Sequence, residues 1–108
     1  MRFVTAAEIR DCPDRKLARI AGLVTCRQRP GTAKGTLFLT VEDKTGLANV
    51  IVQAELVERQ RCEVLGARLL GVFGQIRRDG KVVHLLAQRL VDHSALLGAL
   101  DMRSRDFQ

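Results

Sequence analysis

Six cationic side chains gather in two short polar segments: Arg27, Arg29 and Lys34 in the first, Arg77, Arg78 and Lys81 in the second. Ammonium and guanidinium groups clustered in this way neutralise phosphates. Each single-strand phosphate so paired steepens the salt dependence of binding by roughly 0.7 in log–log slope. The whole chain points the same way, with 18 Lys and Arg against 12 Asp and Glu and a net charge of +6, a balance that draws polyanions. Any one of the six is equally a solvated loop charge. Gly31 and Gly35 let the first segment bend towards a strand of nucleic acid, as they would in any hairpin.

Other chemistries find little support. Glu42-Asp43 is the adjacent acidic pair nearest to a catalytic arrangement, but neighbouring residues of a strand point to opposite faces and cannot share a metal or a proton. Asp43 is better suited to a turn, where it bonds backbone two residues on. His84 and His93 have no recognisable nucleophile partner and read as surface or capping residues. Cys12, Cys26 and Cys62 are odd in number and show no C-x-x-C spacing, so neither a disulfide framework nor a zinc site follows. Cys26 alternates with apolar residues and is expected in the core. No metal and no cofactor is implied, and unpaired thiols fit a reducing cytoplasm. The first residues lack the apolar centre of a signal peptide, and no run approaches the roughly 18 apolar residues of a membrane span.

The elements that must position these groups are mostly strands. At 108 residues the chain is one domain with a single core. Residues 1–18 form a polar lead-in, a linker or a cap, with a capping box at Thr5 and Glu8 and a stop at Pro13. Residues 19–27 alternate as a first strand, with Gly22 at a bend or bulge. Residues 36–42 and 47–52 form a hairpin through the Asp43-Lys44-Thr45-Gly46 turn. Residues 54–65 carry helical spacing, with acidic and basic residues opposite the apolar stripe and Gly66 as C-cap. Residues 68–77 and 81–90 form a second hairpin through Asp79-Gly80. Ser94 caps a short terminal helix over 95–100, and the charged end to residue 108 frays.

Three strands, a helix and two strands are the order of an OB-fold, a five-stranded Greek-key barrel that binds oligonucleotides on strands 2 and 3 between its 1–2 and 4–5 loops. Both of those loops are basic here. The expected fold is therefore all-β with small helices, the barrel occupying residues 19–93 and the terminal helix and tail 94–108. Leu37, Leu39 and Val41 facing the core turn Phe38 and Thr40 outward, and Ala48, Val50 and Val52 inward turn Asn49 outward beside them. Phe38 is then a stacking platform worth roughly 1 to 3 kcal/mol per base, unless terminal helices cover it. Asn49 offers an amide to a base edge.

The segments running from Ile20 through Gly35 and from Phe38 through Val52, with Glu58-Arg59, Gly71, Gly74, Val83-His84, Ala87 and the Ser104-Arg105-Asp106-Phe107 ending, closely resemble the C-terminal OB domain of bacterial error-prone DNA polymerases. The resemblance implies a terminal piece of a larger polymerase, or a free-standing derivative, without the catalytic carboxylates and so not itself an enzyme. It further implies a place near the single-stranded template during translesion synthesis, with the rest of the polymerase and accessory mutasome proteins as partners. The strand 2 and 3 segment is also similar to the anticodon-binding domains of aspartyl- and lysyl-type tRNA synthetases, in which an aromatic and an amide at the positions of Phe38 and Asn49 contact bases. Two departures stand out: Gln53 replaces a Trp common in the family, and Phe73 replaces a frequent basic residue.

Three functional classes follow. One is a non-catalytic single-stranded DNA-binding module. The second is a protein-interaction module docking polymerase domains or mutasome partners, separable by a weaker salt dependence. The third is an RNA-binding adaptor, separable by a preference for the 2′-hydroxyl.

Overall fold

The alternation of apolar and polar residues over 37–52 builds the first hairpin. In the computed structural model, which describes residues 3–29 and 35–95, β2 (Leu37–Asp43) and β3 (Gly46–Val52) pair in register from Leu37 opposite Val52 to Asp43 opposite Gly46. Leu37, Leu39, Val41, Ala48, Val50 and Val52 fill the interior. β1 (Leu17–Gln28) extends beyond the expected strand at both ends, because its first half pairs with β4 (Leu69–Asp79) and its second half with β2. β5 (Val82–Asp92) pairs antiparallel with β4 and runs parallel to β3 over His84–Leu86, which closes the barrel in the order β1-β2-β3-β5-β4.

Two close approaches make that closure possible. At Gly22, where β1 passes from β4 to β2, a Cβ would lie 2.3 Å from the Glu42 carbonyl oxygen. At Gly74 it would lie 2.2 Å from the Leu86 carbonyl oxygen, beside an irregularity in the β4–β5 ladder. Neither contact can be relieved by turning a side chain, since the obstacle is backbone.

The expected helix over 54–65 is two short helices, α2 (Ala54–Arg59) and α3 (Arg61–Gly66). Gln60 breaks them with φ −121° and ψ 43°. Its side-chain amide has a stronger claim elsewhere: Nε2 donates to the Leu90 carbonyl at 2.7 Å and Oε1 accepts from the Leu90 amide at 2.8 Å. Leu56, Val57 and Val64 still face the core.

The lead-in packs on the barrel. Its capping box is present as read from the sequence, with the Thr5 hydroxyl accepting from the Glu8 amide and the Glu8 carboxylate accepting from the Thr5 amide. This starts α1 (Ala6–Ile9), whose Ala6 and Ile9 are buried. Asp43 holds it in place. Oδ2 accepts from the Ala6 amide at 2.7 Å, while Oδ1 accepts from the Thr45 amide, the Thr45 hydroxyl and the Gly46 amide at 2.8, 2.6 and 3.2 Å. Partial burial pushes the Asp43 carboxyl upward, but the hydrogen bonds from Thr45, Ala6 and Gly46 together outweigh it and hold it below the usual aspartate value. From residue 96 on, the expected terminal helix over 95–100 and the charged end to residue 108 lie outside the described residues.

A carboxyl depressed by folding contributes stability above its unfolded value of about 4, and that contribution disappears as the pH falls through the lower folded value. Asp43→Ala is therefore expected to lower stability by about 1 to 3 kcal/mol at pH 7. Denaturant titrations across pH should show the difference between the two proteins shrinking below about pH 4.

Candidate nucleic-acid interface

Register converts the outward-facing positions into rows that cross the barrel. Gln28, Phe38, Ile51, Leu86 and Gln75 are successive cross-strand neighbours on β1, β2, β3, β5 and β4. Cys26, Thr40, Asn49, His84 and Arg77 form the adjoining row on the same strands. Phe38 is 38% exposed, so its ring is available at the surface. Thr40 and Asn49 are directly opposite each other, and Arg77 lies at the far end of their row.

The first row residue to depart from expectation is Cys26. An irregularity between Val24 and Cys26 inserts Thr25 into β1, so Cys26 stands opposite the outward Thr40 instead of joining the core. The same shift places Arg27 opposite the inward Leu39. At the end of the barrel that position meets α3. Arg27 Nε donates to the Val64 carbonyl at 2.8 Å, and one Nη donates to the Ala67 carbonyl. Arg27 thus satisfies carbonyl groups at the end of a helix that nothing in the helix itself could satisfy.

Arg78 does comparable work at the other hairpin. It stands opposite Val83, one register step from Arg77, and one Nη donates to the carbonyls of Arg10 and Cys12, the latter at 2.9 Å. Its amide donates to Asp14 Oδ1 at 2.8 Å. Arg29, Arg77 and Lys81 are exposed cations of the two basic segments, while Lys34 lies outside the described residues. Arg78 and Lys81 also border a cavity of about 330 Å³, together with Asn49, Leu47, Ile9 and Arg10. Arg10 was not legible as a site residue: its only sequence signal is its position at the end of the capped helix.

A closed barrel of five strands in this order, with its helices between β3 and β4, is an OB-fold. Solved structures share it. The chain aligns over 86% of its length with 22% of an asparaginyl-tRNA synthetase from Pyrococcus horikoshii complexed with asparaginyl-adenylate, at TM-score 0.71 and 24% identity. It aligns over 84% of its length with 92% of the OBody AM1L10, solved bound to hen egg-white lysozyme, at TM-score 0.64 and 16% identity. At these identities the likeness is one of fold. No protein-family model matches the chain.

The sequence itself goes further. It is 92% identical over 108 residues to an error-prone DNA polymerase of Aromatoleum aromaticum, and 65% identical over 106 residues to one of Azoarcus sp.. It spans 10% of the length of each. Over its length the chain is thus similar to the C-terminal tenth of these error-prone DNA polymerases. Among the described residues no helix is long and apolar enough to cross a membrane.

The division of labour among the arginines is testable without any ligand. Arg27→Ala should cost about 1 to 3 kcal/mol through the carbonyls it abandons, seen as a thermal midpoint lower by several degrees. Arg29→Ala should leave the midpoint essentially unchanged.

Proposed function

We propose that this chain is a non-catalytic module that holds single-stranded template DNA for an error-prone polymerase during translesion synthesis. The observation that carries the reading is the outward cluster of Phe38, Thr40 and Asn49 on β2 and β3, flanked by cations from both hairpin segments. Phe38 stacks a base, Asn49 meets a base edge, and Arg29, Lys34, Arg77 and Lys81 neutralise phosphates. Arg27 and Arg78 contribute positive potential while their hydrogen bonds fasten the helices. Arg10 adds a charge beside Asn49 and Lys81. A template-holding role belongs with the chromosome in the cytoplasm, and the polymerase chemistry belongs to the remainder of the larger protein.

Stacking works for every base, so the reading implies little sequence preference and a steep salt dependence. A second reading, docking of polymerase domains or mutasome proteins, is favoured by the outward Phe73, an aromatic ring set between Arg19 and Arg89 on the β1–β4–β5 surface.

Fluorescence anisotropy with a labelled oligothymidine of about 12 nucleotides tests the first reading. Phe38→Ala should weaken binding by roughly 1 to 3 kcal/mol. Lys81→Ala should reduce the log–log salt slope by about 0.7. Absence of binding by the wild-type chain at low salt would refute the template-holding role. A gain-of-function variant complements these losses. Alternation past Ile51 brings position 53 to the outer side, so Gln53→Trp should add a stacking surface and tighten binding by roughly 1 to 3 kcal/mol.

A further inference from the structure

A second cationic surface lies on β1, β4 and β5, away from the β2–β3 cluster. Arg19 stands directly opposite Phe73, and Phe73 directly opposite Arg89, so one aromatic residue has an arginine on each side. The next row holds Ala21, Gly71 and Val91. Gly71 leaves a notch that the His93 ring enters: a Cβ there would lie 2.8 Å from His93 Nε2. The chain before β1 supplies the remaining wall. The Val4 amide donates to the Arg19 carbonyl at 2.7 Å, and the Arg19 guanidinium lies 5.2 Å from the centre of the Phe3 ring. These groups bound a cavity of about 310 Å³.

Among the described residues the lining contains Arg19, Arg89 and His93 but no carboxylate. Among the described residues neither arginine has an ion-pair partner. Asp92, next to His93 in sequence, accepts a hydrogen bond from the Ser94 amide at 2.8 Å. The surface is thus charged, partly apolar and, among the described residues, uncompensated.

We propose that it docks an acidic peptide in which an apolar side chain lies between two carboxylates. A guanidinium matches a carboxylate with two parallel hydrogen bonds. Cross-strand neighbours stand about 5 Å apart, which puts the stems of Arg19 and Arg89 roughly 10 Å from each other. Same-face residues of an extended peptide lie roughly 7 Å apart, so two carboxylates four positions apart span roughly 14 Å with the apolar residue midway on the same face, and the reach of Glu or Asp side chains covers the difference. The apolar residue between them rests on Phe73, Phe3 and Val91. A nucleic-acid strand fits less well, because base stacking needs an open ring face. Arg19 covers one face of Phe3, and Phe73 is half-buried between its two arginines.

The probe is a fluorescein-labelled peptide, Gly-Ser-Glu-Ser-Leu-Ser-Glu-Ser-Gly, acetylated and amidated at its ends, titrated into the 108-residue chain. Its analogue with Gln in place of both Glu residues and the labelled oligothymidine are titrated in parallel. The acidic peptide should bind roughly tenfold or more tightly than its neutral analogue. Arg89→Glu should remove that advantage and leave oligothymidine affinity within about twofold. Arg89→Gln should give a smaller loss in the same direction, with circular dichroism verifying the fold of both variants. Equal binding of the two peptides overturns the proposal, as does loss of oligothymidine binding with peptide binding intact, which would assign the surface to nucleic acid. Failure of the wild-type chain to bind oligothymidine would count against the template-holding reading alone.

Discussion

The barrel rests on the contact between β1 and the backbone of β2 at Gly22. A single strand must pair with β4 through its first half and with β2 through its second, and it can turn from one partner to the other only where no side chain intervenes. The closure of the ring follows from that turn. Without it, the β2–β3 and β4–β5 hairpins would be joined only through the parallel β3–β5 ladder that carries the rows from Phe38 and Asn49 across to Gln75 and Arg77, and β1 could not close the other side.

The same ladder geometry sorts the basic residues. Strands that overrun the barrel continue to alternate, so inward positions near their ends face the helices that cap the barrel instead of the core. Arg27 and Arg78 occupy such positions, and each gives its donors to backbone carbonyls of a neighbouring segment. Arg77, one step away, faces outward beside His84. Two adjacent arginines of identical chemistry are thereby committed to different tasks by register alone.

Much of this was legible in the sequence because it depends on short-range pattern. The alternation over 37–52 located the hairpin and its faces, the Asp79-Gly80 pair located the second turn, and Thr5 with Glu8 located the capped helix. What was not legible depends on partners distant along the chain. Thr25 gives no local sign that it will be inserted as an extra residue, and that single insertion reverses the expected orientations of Cys26 and Arg27. Gln60 lies within a good helical pattern, yet its amide bonds to Leu90 and divides the helix. Asp43 was recognisable as a turn residue, whereas its hold on Ala6 was not. The positions of Phe38, Thr40 and Asn49 could be read in advance because they follow from period two, while the availability of each arginine could not.

The connectivity also orders the assembly of the molecule in time. Three of the ladders join consecutive strands and can form locally, β1 with β2, β2 with β3 and β4 with β5. The other two, β3 with β5 and β1 with β4, connect residues as distant as Leu17 and Gln75, so they require closure of long loops before any contact compensates for the lost chain entropy. Folding therefore proceeds from the three-stranded β1–β2–β3 unit and the β4–β5 hairpin to a ring, with the joining of the two as the slow event. Until that event both units have bare edges capable of pairing with other chains, and afterwards the ring has none.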